Sequence, residues 1–197
     1  MAIDASFEHM LKIGQTGEDV ISCWFRSRGW SVLPVYPVVE DANKGPRLYT
    51  AAHNPQKELV APDMLAMKGA KIQWLEAKRK SKFAWYAKGG AWQTGIDRRL
   101  FDHYLKVSEV TQLPVWLLFL HVDSTPSVED LQRKCIGVPS IGLFGNEIKA
   151  LSSKIQEGEF KNRYRPNPMV FWSESQLRKI ASLQDVKDAV WDVKFGL

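Results

Sequence analysis

Two short apolar runs, 61–67 and 72–79, flank the string Lys68-Gly69-Ala70-Lys71, and no other feature of the 197 residues restricts the fold as much. Both runs have strand length, and glycine at the first central position of a two-residue loop suits a type II′ hairpin turn. With Gly69 and Ala70 as the loop, the numbers of paired positions sum to 139. That register sets Asp63 opposite Glu76 on one face, with Cβ atoms about 4.5–5.5 Å apart. Glu76 and Lys78 then point the same way and Ala77 the other, because side chains alternate along a strand. Two carboxylates so close repel each other unless a cation lies between them, so a metal site is the most economical reading of the pair. A surface salt-bridged hairpin would also display these residues, but the flanking runs are apolar enough for internal strands.

The neighbouring segments suggest what the hairpin packs into. Residues 16–28 read as a helix, with Thr16 and Asp19 spaced as a capping box, Gly29 as the stop, and Val20, Ile21, Trp24 and Phe25 as the apolar face. Residues 30–39 read as a strand interrupted by Pro34 and Pro37, and 40–60 as an inserted loop or small hairpin. An aromatic and basic loop, 82–91, precedes a helix expected over 92–106. The continuous apolar run 113–122 has the character of a strand covered on both faces. Beyond it the pattern suggests a helix near 127–133, a strand near 135–138, a helix near 144–153, a strand near 169–172 and a closing helix after Ser173. The fold class is therefore α/β, a mixed central sheet flanked by helices. Residues 1–124 form the expected core and 125–197 a C-terminal α+β extension packed on it.

Composition narrows the chemistry. With 45% hydrophobic and 25% charged residues the chain can fill a core without staples. Cys23 and Cys135 form no metal-ligand spacing and read as small buried apolar residues. The longest apolar stretch, 115–120, is too short to span a bilayer and the start lacks a signal-peptide pattern, so a soluble, cytoplasmic protein with no membrane partner is expected. His53-Asn54 lacks the spacing of a histidine-based nuclease, His9, His103 and His121 are isolated, and there is no phosphate-binding GxxxxGK[ST] loop.

Glu-x-Lys is a weak pattern, and it occurs three times, at Glu76-Ala77-Lys78, Glu147-Ile148-Lys149 and Glu159-Phe160-Lys161. Only the first follows a Pro-Asp strand, Pro62-Asp63, thirteen residues before Glu76. That combination resembles the PD-(D/E)xK signature of restriction endonucleases and Holliday-junction resolvases. The likeness spans residues 15–122 and implies a restriction-endonuclease-like αβββαβ core. It also implies a Mg²⁺- or Mn²⁺-dependent nuclease acting on DNA. By position, Asp63 would be the central metal ligand, with Glu76 and the backbone carbonyl of Ala77 completing the coordination. Lys78 would orient or deprotonate the attacking water. Many members carry a glutamate on the first helix, and Glu18, whose neighbours Ile21 and Phe25 are apolar, would hold a second ion; a first-turn glutamate favoured by the helix dipole is the plainer alternative. Gln93 would contact phosphate or water, or merely start a helix; the Gln-x-x-x-Tyr pattern of exonuclease-like members fails because Asp97 stands at i+4.

From Lys68 to Lys106 ten Lys and Arg face three Asp and Glu, leaving +7 against +5 for the whole chain. Lys80, Lys82, Lys88, Arg98 and Arg99 are candidate phosphate contacts, with Trp85, Tyr86 and Trp92 as stacking platforms or, equally, as packing beneath the loop. Lys161, Arg163 and Arg165 would extend the footprint. The expected activity is an endonuclease on duplex or branched DNA, for which a homodimer would suit cutting of two strands. The alternatives are a non-catalytic nucleic-acid-binding module, or a nuclease working from DNA ends or on RNA.

Overall fold

The computed structural model describes residues 17–35, 46–49, 58–161 and 166–195. Outside these lie the expected Thr16 cap, the 36–39 part of the first strand, His53-Asn54, and the cations Arg163 and Arg165.

A six-stranded mixed sheet forms the centre. Its strands are β1 (Ser31–Pro34), β4 (Met64–Lys68), β5 (Lys71–Lys80), β8 (Val115–His121), β9 (Gly142–Glu147) and β12 (Arg178–Ala181), neighbours in that order. All contacts are antiparallel except β5 with β8, which is parallel. β1 lies at the edge, where Pro34 costs no interior ladder bond. The hairpin register is the one the glycine turn dictates: Lys68 pairs with Lys71 and Met64 with Leu75, and Gly69 has φ +57°.

Alternation sends the central strands into two cores. Leu75, Ala77, Leu118 and Leu120 pack under helices α1 (Gly17–Ser27) and α5 (Leu183–Phe195), against Val20, Ile21, Trp24, Val186 and Val190. Trp74, Leu117 and Phe119 face the opposite way, toward helix α2 (Arg98–Thr111) and a second sheet. That sheet is antiparallel, in the order β10 (Gln156–Lys161), β11 (Pro166–Ser173), β7 (Ala91–Asp97), β6 (Ala84–Tyr86). Burial on both faces explains the unbroken apolar run of β8. With β1, β4, β5, α2 and β8 following α1, the order helix, three strands, helix, strand is present, interrupted by the β6–β7 hairpin and by β2 (Arg47–Tyr49) paired with β3 (Glu58–Val60) inside the expected 40–60 insertion.

Several expectations are corrected. Residues 92–97 are strand, and α2 begins only after Asp97, whose carboxylate caps it by accepting the Arg99 and Leu100 N–H groups. Trp92, Thr94 and Ile96 are buried at period two, and a Cβ on Gly95 would meet the Val170 carbonyl oxygen at 2.3 Å. The C-terminal part contributes β9 and β12 to the central sheet and β10 and β11 to the second, so it is woven into the core. A short helix α3 (Val128–Gln132) follows Ser127 as expected, no regular strand forms at 135–138, and 144–153 divides between β9 and helix α4 (Ile148–Ser152). After Ser173 comes a single 3-10 turn and β12 before the closing helix.

Candidate active site

Asp63 sits one position before β4, where the ladder to β5 has just ended. Its side chain takes the place of the missing pair: Oδ2 accepts the Ala77 N–H at 2.8 Å. N–H and C=O of one strand residue point to the same neighbour, so the Ala77 carbonyl is also on the Asp63 side. Asp63, like Leu65, and Glu76, like Trp74, belong by alternation to the face that looks toward α2.

Glu76 is fully buried, on a strand whose other buried side chains, Trp74, Leu75 and Ala77, are apolar. Burial pushes its carboxyl up to about 8, and Asp63 adds to this, while Lys78 and the Tyr104 hydroxyl favour the charged form. The Lys78 ammonium forms an ion pair with Glu76 Oε1. Yet neither carboxylate oxygen has a hydrogen bond of satisfactory geometry among the described residues. A buried carboxylate beside a second carboxylate is costly even with one ammonium on it, which makes this a place where a further cation would be welcome. For Lys78, burial works to lower the pKa, but Glu76 and Asp63 outweigh it and the net shift is upward.

Glu18 approaches from α1. Helix and strand touch at Gly17, where a Cβ would meet Arg79 Cβ at 2.6 Å and Arg79 N at 3.1 Å. Glu18 is exposed, but partial desolvation and the Asp63 carboxylate raise its pKa while Lys78 lowers it, which places it within electrostatic reach of both. Tyr104 on α2 is the residue that sequence reasoning missed. It is buried, faces Glu76, and has its own pKa raised by burial and by that carboxylate. Its spacing from Phe101 and Val107 is that of an ordinary buried helix face, which carries no signal of a carboxylate partner.

Asp63, Glu76 and Lys78 thus lie together, with Glu18 within electrostatic reach, and Gln93 lies elsewhere. It lies on β7 opposite Ala84 and Ser173, on the face turned away from Trp92 and Ile96 and the core they join. Trp85 and Trp92 are also not platforms: they are a buried cross-strand pair, ring centroids 5.3 Å apart at 64°. Tyr86 is half-buried and Lys88 and Arg99 are exposed. Arg98 is engaged by Asp102 and Glu157, and Lys82 by Asp123 and the Thr125 carbonyl. Lys80 is half-buried two positions beyond Lys78, and burial, then Lys78, lowers its pKa. His121, its neighbour on β8, is buried against the Phe83 ring, and burial pushes its pKa down to about 4.

Among the described residues no group of three His, Cys, Asp or Glu side chains is disposed to hold a metal ion by itself. The donor set here is two carboxylates and a carbonyl, all oxygen, which suits a hard divalent cation that keeps several waters.

No protein-family model matches the chain, and no curated protein does. Among solved structures, the chain is similar to Hjc, a Holliday junction resolvase of the archaeal hyperthermophile Archaeoglobus fulgidus, at 9% identity over 81% of this chain and 86% of that one, with a TM-score of 0.39. It is also similar to a nuclease from a fusselovirus, at 13% identity over 88% and 85%, with a TM-score of 0.36. No helix of the described residues is long and apolar enough to cross a membrane.

Proposed function

We propose that this chain is a metal-dependent nuclease that hydrolyses DNA phosphodiester bonds, cutting internally in duplex or branched DNA. The observation that carries the reading is Glu76, a fully buried carboxylate set beside Asp63 and paired with Lys78 on one hairpin. Asp63, Glu76 and the Ala77 carbonyl would hold one Mg²⁺ or Mn²⁺, with Glu18 at the outer edge. The cation, when bound, would neutralise phosphate charge and acidify water.

The remaining work falls to the chain itself. Lys78 donates to the attacking water or to the phosphate oxygens, and it remains a cation in this site because Glu76 and Asp63 raise its pKa. Tyr104 and Lys78 hold the Glu76 carboxylate in place, and Lys80 lies further along the strand for a flanking phosphate. The +7 balance of residues 68–106 draws in the polyanion.

Incubation of linear, single-stranded, flapped and four-way-junction DNA with Mg²⁺, Mn²⁺ or EDTA tests this. Metal-dependent cleavage that is lost in Asp63→Asn and Lys78→Ala, with DNA binding retained, is the expected result. Cleavage persisting in either variant overturns the site, and binding without any cleavage favours a non-catalytic module.

A further inference from the structure

The segment that leaves β8 carries a feature the catalytic reading does not use. Nine large apolar side chains of the described residues are exposed, and four of them fall within eleven residues: Val128 at 68%, Leu131 at 61%, Ile136 at 76% and Val138 at 64%. Apolar side chains held in water are ordinary when scattered, but a cluster on one projection marks a contact surface.

The projection is braced. Asp130 is buried, accepts the Trp85 N–H at 2.9 Å and caps α3 through Ser127. The Ile136 carbonyl accepts from Trp92 Nε1 at 3.0 Å. Lys134 N–H returns to the Leu131 carbonyl at 2.9 Å and Cys135 N–H to the Asp130 carbonyl at 3.0 Å, folding the chain back on the helix. The backbone behind the apolar tips is therefore fixed by polar anchors, so the side chains cannot turn inward cheaply.

Its surroundings select the partner. Arg133 and Lys134 stand exposed between the apolar tips, and the braces run to the β6–β7 hairpin, whose turn carries exposed Lys88. Against these, Glu129 is the one exposed acid of 128–138. The root of the segment is tied to the catalytic strand's end, where Lys82 engages Asp123 and Thr125. Lys82 is four residues beyond Lys78, so its Cα lies at most about 13–14 Å from that of the proposed catalytic lysine. Apolar tips ringed by cations match a nucleic acid whose bases are partly unstacked: the cations meet phosphate, and the tips enter the step.

Resting on the nuclease reading, we infer that residues 128–138 form a rigid wedge that inserts Leu131 and Ile136 at unpaired or branched positions of the DNA substrate. The wedge thus gives the same site a preference for branched over continuous duplex.

The test uses the full chain, a four-way junction and a linear duplex of equal length, each with 2-aminopurine at the centre. Binding is measured by anisotropy in EDTA, and cleavage separately in Mg²⁺. The Leu131→Ser/Ile136→Ser double variant changes only exposed positions, and its unfolding temperature serves as the folding control. Expected are a loss of at least about tenfold in junction affinity, loss of the 2-aminopurine signal, and linear-duplex binding unchanged within about twofold. Arg133→Ala/Lys134→Ala should weaken both substrates alike and flatten the salt dependence by about two phosphate contacts. Junction binding equal to the parent overturns the wedge while cleavage in Mg²⁺ leaves the nuclease standing. Absence of any DNA binding overturns the wedge, and absence of cleavage with the wedge effect intact overturns only the nuclease. A parent dimer that becomes monomeric in the double variant, with DNA binding unaltered, assigns the patch to a second copy and overturns it too.

Discussion

Asp63 accepts the Ala77 N–H at 2.8 Å, completing with its side chain the ladder that stops at Met64 and Leu75. In the proposed site one carboxylate would therefore do two jobs, a structural one through Oδ2 and a ligand's through the charge. Asp63→Asn keeps an acceptor and loses the charge, whereas Asp63→Ala loses both. Asn is expected to unfold within about 1 kcal/mol of the parent, and Ala to cost a further increment of about that size. Both should lose cleavage by more than the roughly 10–100-fold typical of outer-shell partners. Thermal unfolding beside a cleavage assay separates the two jobs; an active Asn variant would show that the charge is not required.

Glu76 makes stability depend on pH. Its pKa is about 8 in the fold against an ordinary 4.5, so the folded chain holds this proton more tightly than the unfolded one. The stabilisation is complete below the unfolded value of 4.5 and is lost as pH rises through about 8. Lys78, shifted upward, stays charged across this window. Without divalent metal, unfolding free energy should fall from about pH 5 to about pH 8.5, with a slope from this group approaching ~1.4 kcal/mol per unit. Glu76→Gln should flatten the curve. Mg²⁺ should stabilise the parent mainly at the alkaline end, because the ligand is the carboxylate. A pH-independent parent would contradict the buried carboxyl with its raised pKa.

Tyr104 acts through Glu76 as a positioning residue. Its hydroxyl lowers the Glu76 pKa, so Tyr104→Phe should move the alkaline fall in stability to higher or lower pH only in one sense. Removing a group that favours the charged form raises the midpoint. At limiting Mg²⁺ near neutrality cleavage should drop, since the metal competes with a more tightly held proton, and it should recover as pH or Mg²⁺ is raised. A loss of cleavage equal at every pH would make Tyr104 a packing residue only.

The sequence made the hairpin legible because its register depends on local chemistry: Gly69 adopts φ +57°, and every pairing down to Met64 with Leu75 follows from that turn. The α1 face and the doubly buried β8 were legible for the same reason, through periodicity alone. Residues 92–106 were not, because a strand and a helix run together there and Asp97, which caps the helix, looks like any surface acid. The fate of Trp85 and Trp92 was hidden more deeply. Whether those rings face water depends on β7 pairing with β11, some seventy residues away, and on Asp130 covering the β6 backbone. Tyr104 escaped because an aromatic at core spacing looks the same whether or not it faces a carboxylate.

Gly17 offers the last test, since it sets how close Glu18 comes. A methyl group there would lie 2.6 Å from Arg79 Cβ, which belongs to β5 and cannot swing aside as a side-chain tip would. Gly17→Ala must push α1 off β5 and should cost about 1–3 kcal/mol, the usual range for overpacking. Glu18 rides on that helix end, so cleavage should fall as well. Glu18→Gln provides the contrast: an exposed residue whose change should leave the unfolding temperature alone while lowering cleavage or weakening metal binding. Arg79→Gly removes the first atom met by the new methyl, though not the backbone nitrogen at 3.1 Å, so the double variant should recover part of the activity lost in Gly17→Ala. If Gly17→Ala proves as stable and as active as the parent, helix and strand are not in the contact described, and Glu18 has no place among the ligands.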